Sequence, residues 1–130
     1  MLDLTPILGT QAPDLKTLIA RDLLGAAADA AKTHKPTLKF SQLTLLPVIT
    51  NPNKIVCVGL NYGEHVRETG KQITESPALF LRMTESQVAH GQDIVRPPES
   101  SRLDYEGEIA VIIGKGGRRI SEADSWSHIA

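Results

Sequence analysis

The spacing of apolar residues changes character along this chain, from a helical period in its first third to short strand-like runs afterwards. Between Leu15 and His34, the residues Leu15, Leu18, Ile19, Leu23, Leu24, Ala27, Ala28 and Ala31 recur at helical intervals. Pro13-Asp14 opens that stretch and Lys35-Pro36 ends it, while Gly25 favours two shorter helices as readily as one. Ahead of it, Leu2, Leu4, Ile7 and Leu8 allow a short strand. Behind it, Leu38, Phe40, Leu43 and Leu45 predict one or two short strands between Thr37 and Leu46.

Pro47 and Asn51-Pro52-Asn53 are turn residues, and the chain is expected to divide there into a small N-terminal domain, residues 1–50, and a second domain, residues 51–130. Three strands are predicted in the second domain. Ile55 to Leu60 is an unbroken apolar run, the pattern of a strand covered on both faces. Pro77 to Met83 is a shorter run that includes Arg82. Ile109 to Ile113 is largely β-branched, is closed by Gly114, and reads as a buried strand. Further on, Ser121-Glu122-Ala123-Asp124 resembles a capping box, and Ala123, Trp126 and Ile129 would then share one helical face. That helix has no stop signal before Ala130, so the chain is expected to be part of a longer protein.

Composition narrows the function. Of 130 residues 41% are apolar and 22% charged, and 14 basic against 15 acidic side chains give a net charge of -1. Such a balance offers no general attraction to nucleic acid or anionic membrane. The single cysteine, Cys57, precludes an internal disulfide and, in mid-strand, reads as an inert buried thiol. The acidic start lacks a signal peptide's basic region, and no apolar run reaches the roughly 18 residues of a membrane span. A soluble, cytoplasmic protein with a real core is expected.

The candidate chemistry lies in three places. In Asp104-Tyr105-Glu106-Gly107-Glu108, strand periodicity would set the three carboxylates on one face and Tyr105, Gly107 and Ile109 on the other. Carboxylates so placed repel one another and invite a hard divalent cation such as Mg²⁺, although a solvated edge strand accounts for them equally. In the turn after Leu60, His65 and Glu68 would be neighbours at i and i+3 if Glu64 to Glu68 are helical, which equips His65 as a general acid or base or leaves it a surface histidine. Arg82 suits either a substrate carboxylate or a structural ion pair. Gly114 to Arg119 lacks the spacing of a phosphate loop and reads as a hairpin or a connection to a helix.

Taken together, Lys54 to Glu68, Pro77 to Arg82 and Asp104 to Lys115, in this order and at this separation, resemble the fumarylacetoacetate hydrolase family. The resemblance covers residues 50 to 130, and the first fifty residues look like the variable N-terminal domain of bacterial members. It implies an α+β, mainly β fold, with a small N-terminal α/β domain followed by the start of a mixed β-roll, in homodimers. It also implies a Mg²⁺- or Mn²⁺-dependent enzyme that acts on a 2-oxo or 2,4-dioxo acid by carbon–carbon bond hydrolysis through an enolate, or as an isomerase, decarboxylase or hydratase of such acids in aromatic catabolism. Glu106 and Glu108 match the family's E-x-E metal pair, and His65 and Glu68 its catalytic dyad. Tyr62 and Arg82 fall where substrate is bound, although the family often has lysine at the position of Arg82. The family's third metal ligand, an aspartate, and a later lysine belong to a stretch beyond residue 130. Two other classes remain open: a non-catalytic metal-binding fragment, and an acidic patch that binds a basic protein.

Overall fold

A computed structural model describes residues 1–72 and 75–130. They form two compact units, one of residues 1–45 and 91–130 and the other of residues 46–90.

In the first unit the helical spacing yields two helices. The Asp14 side chain accepts the Thr17 N–H at 2.6 Å, capping helix α2 (Leu15–Ala20), and helix α3 (Leu24–Thr33) comes after it. The break falls before Gly25, at Asp22, whose φ of 55° lies in the left-handed region. Aspartate tolerates that region better than most residues, yet glycine occupies it without strain. Asp22→Gly is therefore expected to stabilise the protein by about 0.5–1 kcal/mol, measured as a higher midpoint in urea. Pro36 acts as its chemistry requires, since α3 ends with His34 already extended at ψ 148°.

The opening residues are a short helix, α1 (Thr5–Leu8), and a 3₁₀ turn (Gly9–Gln11), not the expected strand. Pro6 explains this, because proline fits the first helical turn, where its missing N–H costs nothing. The Thr5 N–H donates to Asp3 Oδ1 at 2.9 Å, and its backbone and hydroxyl together hold the Asp3 carboxyl below its ordinary 3.8. A carboxyl with a lowered folded-state pKa stabilises at pH values above the ordinary carboxylate range, and that contribution disappears as pH falls through the lowered value. An NMR titration should accordingly give Asp3 a midpoint below 3.8.

Thr37 to Leu46 also departs from expectation. It contains a 3₁₀ turn (Phe40–Gln42) in otherwise irregular chain. Its backbone is held instead by the terminus: the Thr37 and Leu38 N–H groups each donate to the Met1 carbonyl at 2.9 Å, and the Met1 ammonium donates to the Leu38 carbonyl at 2.6 Å.

The second unit contains one antiparallel pair, β1 (Ile55–Gly59) and β2 (Ala78–Arg82), in a register running from Ile55 opposite Arg82 to Gly59 opposite Ala78. Between them lies helix α4 (Gly63–Glu68). Strand β1 is not covered on both faces, for Val56 is 52% exposed and all of β2 is exposed. One partner strand and one short helix cannot enclose an apolar run. The buried apolar side chains among the described residues are few, Leu18 and Ala30 in the first unit and Val66 and Ala89 in the second. Val66, at 2% exposure, anchors α4, and Val66→Ala is expected to cost about 2 kcal/mol in a denaturation experiment.

The predicted buried strand Ile109–Ile113 is absent as a ladder. Ile109 and Val111 are 81% and 55% exposed, and an isolated bridge from Ile113 to Ile129 is the pairing found there among the described residues. A strand needs a neighbour to take its N–H and C=O groups, and apolar β-branched residues do not supply one. The mainly β expectation thus gives way, among the described residues, to four α-helices and one two-stranded sheet. The capping geometry at Ser121 does occur, with its hydroxyl donating to Asp124 Oδ2 at 2.6 Å and accepting the Asp124 N–H at 3.2 Å. It leads into a 3₁₀ turn (Ser125–His128), after which Ile129 is extended. Ala130 N–H donates to the Ile112 carbonyl at 2.9 Å and Gly114 N–H to that of His128 at 2.8 Å, so the basic Gly114–Arg119 loop is tied at its base like a hairpin. Backbone pairing outcompetes the helix there.

Candidate functional site

The chain leaves β1 through Leu60, whose φ is 58°, and enters α4 within three residues. Tyr62 lies immediately before the helix and its carbonyl accepts the Val66 N–H at 3.0 Å. Helix α4 then brings the two predicted partners together. His65 Nδ1 lies 4.0 Å from Glu68 Oε2, with the side chains 43% and 78% exposed. That separation is an ion-pair distance rather than a hydrogen bond, and rotation of the exposed Glu68 side chain is enough to shorten it. Beside this turn, at the Gly59–Ala78 end of the sheet, is a cleft of about 300 Å³ whose lining includes Leu60, Asn61, Gly63, Glu75, Ser76 and Pro77.

Arg82 occupies the opposite end of the sheet. It pairs with Ile55, four residue steps from the Gly59–Ala78 pair, or about 13 Å along a strand. Its guanidinium sits 5.8 Å from the centre of the Phe80 ring, a cation–π contact worth about 0.5–1 kcal/mol at an exposed site. Cys57 is half-buried and free of disulfide bonding.

Glu106 and Glu108 belong to the other unit, and both are exposed. Around Gly107, a β-carbon would meet nothing within 4 Å. Among the described residues, no three His, Cys, Asp or Glu side chains are gathered to hold a metal. The donor set nevertheless suits a hard cation in kind. Mg²⁺ is commonly held by one or two protein carboxylates with its other positions filled by water or substrate oxygen.

Neither the cleft nor the left-handed Leu60 is evident from residue spacing. Asn61 and Gly63 mark a turn, but leucine carries no signal for that backbone region.

Residues 54–130 match the family model described as the fumarylacetoacetate hydrolase C-terminal domain. The chain belongs to the fumarylacetoacetate hydrolase family. It is 38% identical over 107 residues to the mitochondrial oxaloacetate tautomerase FAHD2A of Bos taurus, an alignment covering 82% of this chain and 34% of that protein. It is 44% identical over 95 residues to the oxaloacetate tautomerase YisK of Bacillus subtilis, covering 69% of this chain and 31% of that one. The chain thus spans about a third of the length of these relatives. An HpcE protein of Mycobacterium smegmatis shares the fold, with a TM-score of 0.71 and 24% identity over 99% of this chain and 46% of that structure. Among the described residues, no helix of this family member is long and apolar enough to cross a membrane.

Proposed function

We propose that this chain contributes the proton-transferring dyad and two metal ligands of an enzyme that interconverts the enol and keto forms of a small 2-oxo acid, oxaloacetate being the first substrate to test. The observation that carries this reading is the His65–Glu68 pair on α4, a helix whose first residue, Gly63, lines a cleft in the same unit, in a chain whose relatives are named oxaloacetate tautomerases. Tautomerisation moves one proton between carbon and oxygen, and it requires a group that accepts and returns a proton. His65 is that group, and Glu68 orients the ring through Nδ1, leaving Nε2 to face the substrate. Glu106 and Glu108 are the residues to hold Mg²⁺ or Mn²⁺, which would act as a Lewis acid on the 2-oxo carboxylate.

Carbon–carbon bond hydrolysis of a 2,4-dioxo acid is the second reading, favoured by the family's own name. There His65 would take a proton from water instead of from carbon. The proposed enzyme works in a mixed β-roll, as a homodimer in the cytoplasm. Absorbance of the enol separates the two reactions. Enol oxaloacetate should decay to the keto form faster with the enzyme than without it, and no acid product should be released. Release of a cleaved acid from an acylpyruvate, with no effect on oxaloacetate, would replace the first reading by the second.

A further inference from the structure

Helix α4 is six residues long, well short of the roughly 12–15 at which a helix persists by itself in water, and the Tyr62 side chain makes no capping bond at its start. The other end closes it. The Gly70 N–H donates to the Arg67 carbonyl at 3.1 Å and the Lys71 N–H to the Val66 carbonyl at 3.2 Å, the bond pair of a Schellman stop, with Gly70 left-handed at a φ of 67°. The Thr69 hydroxyl also donates to the Val66 carbonyl, at 3.0 Å. A β-carbon on Gly70 would meet nothing within 4 Å, so the backbone turn, and not crowding, is what calls for glycine there.

This stop bears directly on the dyad. His65 and Glu68 both lie in the last turn of α4, where the Thr69 N–H donates to the His65 carbonyl at 3.1 Å. Side chains at i and i+3 on a helix start about 5–6 Å apart, whereas three residue steps of extended chain span about 10 Å. We infer that Gly70 is a positioning residue, which by ending α4 in a left-handed turn keeps the Glu68 carboxylate beside Nδ1 of His65. The inference rests on the proposed role of that pair and names what sets its geometry. Strain at position 70 then acts on the pair according to how poorly a residue takes the left-handed region, and asparagine takes it better than alanine does.

Two NMR measurements on the full chain test this: amide hydrogen exchange in residues 69–71 and the nitrogen chemical shifts of the His65 ring. Glu68→Ala removes the carboxylate and sets the ring-shift change that loss of the pair produces. Gly70→Ala should speed the exchange of these amides by roughly 5–30-fold, the population change that left-handed strain produces, and should reproduce a substantial part of the ring-shift change because so short a helix is marginal. Gly70→Asn should speed exchange less than about threefold and leave the ring shifts near those of the unaltered chain. Thr69→Val takes one bond from the Val66 carbonyl and leaves Gly70 in place, so it should move both readings in the same direction by less, and it decides the matter if Gly70→Ala unfolds β1 and β2. Ring shifts that stay put while the amides open, Gly70→Asn as disruptive as Gly70→Ala, or no ring-shift change in Glu68→Ala would overturn the assignment. Turnover enters none of these measurements, so a failure of His65 as the proton carrier leaves their outcome standing, and the converse also holds.

Discussion

On the proposed mechanism, His65→Ala is expected to lower the turnover of enol oxaloacetate by a factor of roughly 10²–10⁴ while leaving divalent-ion binding unchanged, because it would delete the group proposed to move the proton and no carboxylate proposed to hold an ion. The size of the effect stems from the chemistry of general acid–base catalysis, in which a positioned side chain replaces a water molecule that is a poorer proton carrier. Geometry makes the residue specific. His65 stands on a helix fixed at its start by Tyr62, whose carbonyl accepts the Val66 N–H at 3.0 Å, and in its middle by Val66 at 2% exposure. Alanine keeps the helix, since it is the strongest helix former, so the loss is chemical and not structural. Glu68→Gln should produce a smaller loss, because Nδ1 then keeps a hydrogen-bond acceptor but loses the charge beside it. Rates measured by enol absorbance, with circular dichroism confirming the fold, check both. Turnover within twofold of the parent in His65→Ala would take this histidine out of the mechanism.

The second large effect concerns the acid pair. Mn²⁺ added in small amounts should broaden the NMR signals of residues 104–110 selectively, because a paramagnetic ion relaxes nuclei near its ligands. Glu106→Ala/Glu108→Ala should abolish that broadening and weaken Mn²⁺ binding by roughly a hundredfold or more, since ligand charge tunes the affinity of oxygen sites over several orders of magnitude. The two carboxylates are exposed, so water and ions reach them from solvent. High monovalent salt distinguishes a site from a diffuse attraction. A weak atmosphere around acids is screened within about 10 Å at 0.1 M salt, whereas direct coordination survives it. Broadening that persists in the double variant, or that 0.5 M KCl removes altogether, would show that the ion is not held by this pair.

Local chemistry is the most legible part of the chain. Asp14 before Leu15 marks a helix start, Pro36 a helix end, and Ser121 with Asp124 a capping turn, and in each case the signal is a bond or a clash within a few residues. The His65–Glu68 neighbourhood is legible for the same reason, because i and i+3 on a helix are fixed by the helix itself. The strands Ile55–Gly59 and Ala78–Arg82 are predictable because each is the other's partner across a single connection. Ile109–Ile113 misleads because the same kind of sequence finds no ladder among the described residues.

The amino-acid sequence by itself determined the family, the limits of the helical stretch between Asp14 and Pro36, and the i, i+3 neighbourhood of His65 and Glu68, all of which depend on residue identity and short-range spacing. Only the tertiary structure decided that Leu60 turns through the left-handed region beside a cleft, that Arg82 lies at the far end of the sheet from it, and that Ile113 pairs with Ile129. Hydrogen-bond partners distant in the chain set these features, and a backbone accepts local strain or stays unpaired according to which partners it meets.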